Sequence, residues 1–315
     1  MKSDRRTFLQ AALGAGLSLY CPVTFSATEE RNGIPYRTLG KTGEKVSLLC
    51  LGGYHIGTDV LSDEQAVTLI RRAVDEGVNF LDNAWSYNGA RSEERMGAAL
   101  RDGYRDKVFL MTKHKGRDAK TAQEHLETSL RRLRVDVIDL WQFHEIVLPE
   151  EPARIYSEGA LDVALKAKEQ GKIRYIGFTG HRIPTTHVEM IARGFPWDTV
   201  QMPLNVLDHH YRSFEREVLP KALAVQIGVI AMKTLGGTPG AIPQSGAASV
   251  EECLRYAMSL PVATVCCGLD SMEKLERALK IARDFTPMTP QEKEALLERV
   301  KPYAVDGKYE SYKSS

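Results

Sequence analysis

Eight short apolar runs, alternating with amphipathic helical patterns, predict an α/β protein folded as a TIM-type (β/α)8 barrel in a single domain. Two observations support that reading. Strict alternation of strand and helix implies a parallel sheet, and eight such units are the number that closes a barrel. No G-x-G-x-x-G follows any of the runs, which argues against a doubly wound dinucleotide fold.

The first strand is expected at 46–51. Ser62 and Gln65 then form a capping box, each side chain answering the other's backbone N–H. Ala66, Leu69, Ile70, Ala73 and Val74 recur at i, i+3, i+4, i+7 and i+8, one apolar face of a helix. Gly77 supplies the left-handed residue that ends it, and 78–82 is the second strand. A strand at 108–112 precedes a helix carrying Ala122, Leu126, Leu130 and Leu133. A strand at 137–143 precedes a helix through Leu161, Leu165 and Lys168 that stops at Gly171. The last four strands are expected at 174–178, 199–203, 228–232 and 263–267. Cys266 and Cys267 read as strand residues facing opposite ways. A bond between them would hold Cα atoms about 3.8 Å apart, against roughly 4.4–6.8 Å in ordinary disulfides.

Composition narrows the partners. The 315 residues are 43% hydrophobic and 26% charged with a formal net charge of +1, so nothing electrostatic favours nucleic acid. Beyond the first thirty residues no stretch is long and apolar enough to span a membrane. The five cysteines contain no C-x-x-C pair, and His181, His187, His209 and His210 share no ligand spacing, so no metal is expected. Small molecules remain.

The N-terminus has its own character. Arg5-Arg6-Thr7-Phe8-Leu9 precedes a weakly apolar stretch containing Gly14, Gly16 and Ser18. It resembles the twin-arginine export signal of bacteria, which divides the chain into a signal segment, 1–27, and a barrel, 28–315. The resemblance implies export of the folded protein to the periplasm by the twin-arginine machinery. A cytoplasmic tail is the alternative.

In such barrels chemistry occurs at the C-terminal ends of the strands. The second strand ends in Asp82, with Tyr87 five residues on; the third ends in Lys113 and the fourth in His144. These types make a proton donor for carbonyl chemistry. A free phenol has a pKa of about 10, a neighbouring ammonium is expected to lower it, and a carboxylate can hold the ammonium in place. Tyr87 would protonate a developing alkoxide, Lys113 tune it, Asp82 orient Lys113, and His144 hydrogen-bond the carbonyl.

These four residues, with Tyr36 to Gly43 as an N-terminal hairpin and Gly52-Gly53 closing the first strand, resemble the aldo-keto reductase superfamily from Tyr36 to about Ala282. The resemblance implies an NADP-dependent reductase, with NAD the alternative cofactor and an aldehyde or ketone the substrate. It places the nicotinamide at Gly52, Thr179, Gly180 and Gln201, Gly180 standing where the family usually has asparagine. Met232, Lys233, Thr234, Leu235 and Gly237 fall in the pyrophosphate loop. Gly268, Lys274 and Arg277 face the adenosine, with Lys274 on its 2′-phosphate. Tyr54, Trp85, His114 and Glu145 flank the four catalytic positions and are expected to line the substrate pocket. A cofactor-binding regulatory subunit with little turnover is the alternative function.

Overall fold

The structure is a computed structural model that describes residues 29–237 and 239–314. Residues 1–27, the expected export segment, lie outside the described residues. Eight parallel strands close into a barrel: β4 (Leu49–Gly52), β5 (Phe80–Asp82), β6 (Phe109–His114), β7 (Ile138–Phe143), β8 (Ile173–Thr179), β9 (Thr199–Pro203), β10 (Gly228–Met232) and β11 (Thr264–Gly268), with β11 pairing back onto β4. Three preceding strands, β1 (Glu29–Arg31), β2 (Ile34–Thr38) and β3 (Lys45–Ser47), form a separate antiparallel sheet.

One expected strand is two. The run 46–51 divides at Leu48, whose N–H donates to Pro35 O at 2.8 Å. Val46 and Ser47 belong to the antiparallel sheet, and only Leu49 onward enters the barrel. The sequence is apolar on both sides of the break, so periodicity carries no mark of it. The antiparallel sheet plugs the N-terminal mouth. Leu39 and Val46 pack with Cys50, Phe80, Phe109, Met111, Leu140 and Ile230 in the barrel interior.

The local signals otherwise hold. Ser62 and Gln65 form both bonds of the capping box on the helix Asp63–Asp75, and Gly77 follows at φ +103°. Its apolar face, Ala66, Leu69, Ile70, Ala73 and Val74, is buried against the barrel. Leu165 is an exception: it lies in the helix Ala160–Glu169 but is exposed, and Ala164 and Ala167 take the inward face. In the larger core, Trp141 of β7, Phe178 of β8 and Trp197 are completely buried. Each such side chain contributes roughly 1.5–3 kcal/mol by leaving water.

After β11 come the helices Met272–Arg283 and Pro290–Val300, and the chain then doubles back in short turns, Lys308–Lys313. That last segment is pinned by charge in the interior. Lys313, fully buried, pairs with Asp208 at 2.6 Å and Glu310 at 3.0 Å and donates to Tyr211 O at 2.7 Å. Among the described residues no helix is long and apolar enough to cross a membrane.

Candidate active site

Parallel strands deliver the four predicted side chains to one mouth. Asp82 closes β5, Lys113 is one residue from the end of β6, and His144 directly follows β7. Tyr87 stands at the start of a short turn, Tyr87–Ala90, its N–H bonded to Ala84 O at 3.0 Å. The loop is tied to the barrel because Trp85 N donates to Lys113 O at 2.9 Å. Lys113 is the hub: its Nζ pairs with the Asp82 carboxylate, donates to Asn83 O at 2.7 Å and donates to Tyr87 Oη at 3.2 Å. The His144 ring stands edge-on to Tyr87, with centroids 5.7 Å apart.

Charge states follow from these contacts. Burial acts to strip the proton from Lys113, but Asp82 and Tyr87 reverse it, and the amine stays an ammonium above its ordinary range. Tyr87 corrects an expectation. Burial raises the phenol's pKa well above the ordinary value, outweighing the pull of Lys113, and Asp82 pushes the same way. The ammonium is already half-neutralised by its carboxylate, so it cannot win against desolvation. His144 is held well below the usual imidazole range, first by burial and then by Lys113 and Lys115, and is neutral.

The flanking residues divide. Tyr54 lies edge-on to Tyr87 at 5.4 Å and is exposed at the mouth. Glu145 borders His144 and pairs with Lys115 at 2.6 Å. Trp85 lies half-buried, stacked on His125 at 3.7 Å. His114 does not line the pocket: it is fully buried and stacked on Trp141 at 3.7 Å. In β6 alternate side chains face opposite ways, so the residue after Lys113 points away from the mouth. Beside His144 opens a polar cleft of about 290 Å³ bordered by Lys115, Arg117, Glu145 and Glu151.

Apart from Gly52, the residues expected to hold the cofactor stand at or just past the ends of β8 to β11. Thr179 and Gln201 are register partners on β8 and β9, both buried. Gln201 Nε2 donates to Asp82 Oδ2 at 2.9 Å, while its Oε1 is buried with no partner. An orphaned buried acceptor is costly unless a donor arrives, and a carboxamide N–H is the donor that nicotinamide brings. The residues present therefore fit that group. At Gly180 the Asn of the resembling family has no room, because a Cβ would lie 2.4 Å from Ile146 O and 2.7 Å from His187 Cε1.

Beyond β10, whose last residue is Met232, the chain passes through Lys233 at φ +57°, buried Thr234, half-buried Leu235 and Gly237 at φ +83°. Lys233 Nζ lies 5.5 Å from the Tyr312 ring centre, and His181 Nδ1 bonds Tyr312 O at 3.2 Å. The returning C-terminal turns thus pack beside the ends of β8 and β10. Nothing in the sequence marked Tyr312 for this place, since the buried Lys313 anchor and the bonds of the Tyr312 hydroxyl to Asn205 and Glu310 bring it there. Gly52 and Gly268 are register partners closing β4 and β11. At the far end Ser271 caps the helix Met272–Arg283. The two basic residues expected at the adenosine do not converge. Lys274 pairs with Asp270 at 2.6 Å, and Arg277 turns to Glu251 of the neighbouring helix at 2.9 Å. The second residue that sequence reasoning missed is Cys266, whose thiol reaches Asp82 at 3.0 Å. Its inward direction follows from strand alternation; its partner does not.

Comparison with known proteins gives a consistent result. The Aldo/keto reductase family matches residues 48–245. The oxidoreductase YrpG of Bacillus subtilis is 32% identical over 229 residues, spanning 64% of this chain and 67% of that protein. The aldo-keto reductase AKR11C1 of Bacillus halodurans in its holo form superposes with a TM-score of 0.71 at 22% identity, over 88% of this chain and 99% of that one. An aldo/keto reductase of Klebsiella pneumoniae, solved with NADP and acetate, gives a TM-score of 0.66 at 21% identity, over 84% and 94%. The two structural likenesses bear on the fold alone.

Proposed function

The chain belongs to the aldo/keto reductase family, nicotinamide-dependent oxidoreductases, and from that premise we propose that it is an NADP-dependent carbonyl reductase in which Tyr87 is the general acid. The observation that carries this reading is the hub at Lys113, one ammonium joining the Asp82 carboxylate to the Tyr87 hydroxyl at 3.2 Å.

The bound nicotinamide supplies the reducing equivalent in one direction and accepts it in the other. The chain's own residues manage the proton. Burial keeps the Tyr87 phenol protonated at neutral pH, so it enters the reaction as an acid. Lys113, already within hydrogen-bond distance, stabilises the phenolate charge as the proton leaves for the carbonyl oxygen. Asp82 holds Lys113 by ion pair, and Gln201 steadies the other carboxylate oxygen. Neutral His144 donates a hydrogen bond to the carbonyl oxygen without bringing a charge that would compete with Lys113. In the reverse direction the Tyr87 phenolate takes the alcohol proton.

Thr179, Gly180 and Gln201 would hold the carboxamide end of the cofactor. The turn at Lys233, Thr234, Leu235 and Gly237 would hold its pyrophosphate, and the Ser271-capped helix its adenosine end, with Lys274 on the 2′-phosphate. A panel of aldehydes, ketones and alcohols, followed by nicotinamide absorbance with NADPH, NADH, NADP and NAD, tests the reading. Cofactor binding without turnover across that panel would instead mark a regulatory subunit. The Arg5-Arg6 segment supports export to the periplasm. Changing both to lysine should hold active protein in the cytoplasm, and unmodified protein fractionating there with its N-terminus intact would exclude export.

A further inference from the structure

Three donors converge on the Asp82 carboxylate, and only two belong to residues the family resemblance marks. Lys113 takes Oδ1; Gln201 Nε2 and the Cys266 thiol share Oδ2, at 2.9 and 3.0 Å. Cys266 lies on β11, Asp82 on β5, and β4 runs between them. The residue of β4 in register with both Gly268 and Asp82 is Gly52. A Cβ at Gly52 would lie 3.1 Å from Cys266 Sγ and 2.9 Å from Cys267 O. The missing side chain is thus the passage through which a thiol on one strand reaches a carboxylate two strands away.

We propose that Cys266 is a positioning residue for this reaction, its thiol crossing Gly52 to donate to Asp82 Oδ2 and fix the carboxylate that fixes Lys113. The inference rests on the assignment of Tyr87 as acid and Lys113 as its partner. A thiol is a weak donor, but a charged acceptor strengthens the bond. A second thiol stands behind it: Cys50, fully buried, is in register with Cys266 on β4. The Cys50 thiol alone would ease loss of the Cys266 proton. Burial and the Asp82 charge outweigh it and keep Cys266 a thiol, and so a donor. A cysteine here for packing alone would need no open lane across β4 and no polar partner.

Steady-state kinetics of wild type, Cys266→Ala and Cys266→Ser, with a carbonyl substrate and saturating NADPH, tests the inference. Cys266→Ala should lower kcat about fivefold, the worth of roughly 1 kcal/mol of hydrogen bond, with KM unchanged. Cys266→Ser, which keeps a donor, should recover to within about twofold of wild type. Equal kcat in wild type and Cys266→Ala, or a Cys266→Ser as impaired as Cys266→Ala, would overturn it. A cofactor-free readout stands beside these. The infrared S–H stretch of Cys266, isolated as wild type minus Cys266→Ser, should be shifted down as for a thiol bonded to a carboxylate, and Asp82→Asn should relieve the shift. An S–H band at the free-thiol position overturns the inference even if the alanine variant does not fold. If wild type turns over no carbonyl, the functional reading fails while the infrared band still decides the contact.

Discussion

The catalytic hub and the start of the helix Met272–Arg283 use the same chemistry to different effect. At the hub, Lys113 pairs with Asp82 where both are buried, and its partners lie at the end of β5 and in the loop that follows it. At the helix start, Lys274 pairs with Asp270, which precedes the Ser271 cap, and the Lys274 side chain is 59% exposed. A buried ion pair cannot be exchanged for water, so it dictates geometry and charge state. An exposed pair is worth only about 0–1 kcal/mol and is screened by salt, so a bound phosphate can replace the carboxylate. On the proposed reading, catalysis is built into the fold, whereas the choice between NADP and NAD is a competition among surface charges.

The largest expected effect tests the buried end. Tyr87→Phe should lower kcat by ~10²–10⁴-fold with little change in cofactor affinity, measured by turnover and by protein fluorescence on NADPH titration. Near-normal turnover would move the proton donor elsewhere. Lys113→Met should come next, with kcat reduced about 10²-fold, because the phenolate then forms in a buried site without its ammonium. An unimpaired Lys113→Met would show that the hub is structural.

The pH profile sharpens the contrast. Tyr87 is raised by burial and His144 depressed by it, so the acid stays protonated and the imidazole neutral across the neutral range. For reduction, kcat/KM should be flat from about pH 6 to 9, and fall only as alkali deprotonates Tyr87 above the ordinary phenol value of about 10. An inflection near the usual imidazole value of about 6.5 would mean that His144 is solvated and titrating.

The smallest effects belong to the exposed end, and they come in opposite signs. Lys274→Ala should weaken NADPH roughly 5–30-fold and leave NADH unchanged, the contact's worth being reduced by the Asp270 pair it displaces. Asp270→Asn frees Lys274 and should tighten NADPH by about two- to fivefold. Equal wild-type affinities for the two cofactors would remove Lys274 from the 2′-phosphate.

Legibility followed the same division. Apolar periodicity exposed seven barrel strands, and Asp82, Lys113 and His144 are legible as polar residues at or beside their ends. It failed at 46–51, where two sheets share one apolar run, and the break at Leu48 depends on a bond to Pro35. Helical spacing put Lys274 and Arg277 on one face of the helix Met272–Arg283, yet Arg277 is claimed by Glu251, a residue of another helix.

By itself the sequence determined the alternation of strands and helices, the cap at Ser62, and the set of residue types at the strand ends. Those are matters of local spacing, and a parallel barrel converts them into a site by gathering every strand end at one mouth. Tertiary structure alone decided three things. It decided that Tyr87 is a stronger holder of its proton than a free phenol, because desolvation depends on what surrounds the ring. It decided that the C-terminal turns pack beside the ends of β8 and β10, because Lys313 finds Asp208 across more than a hundred residues of chain. And it decided that Cys266 touches Asp82, since only barrel closure places β11 beside β4 and leaves Gly52 as the gap between them.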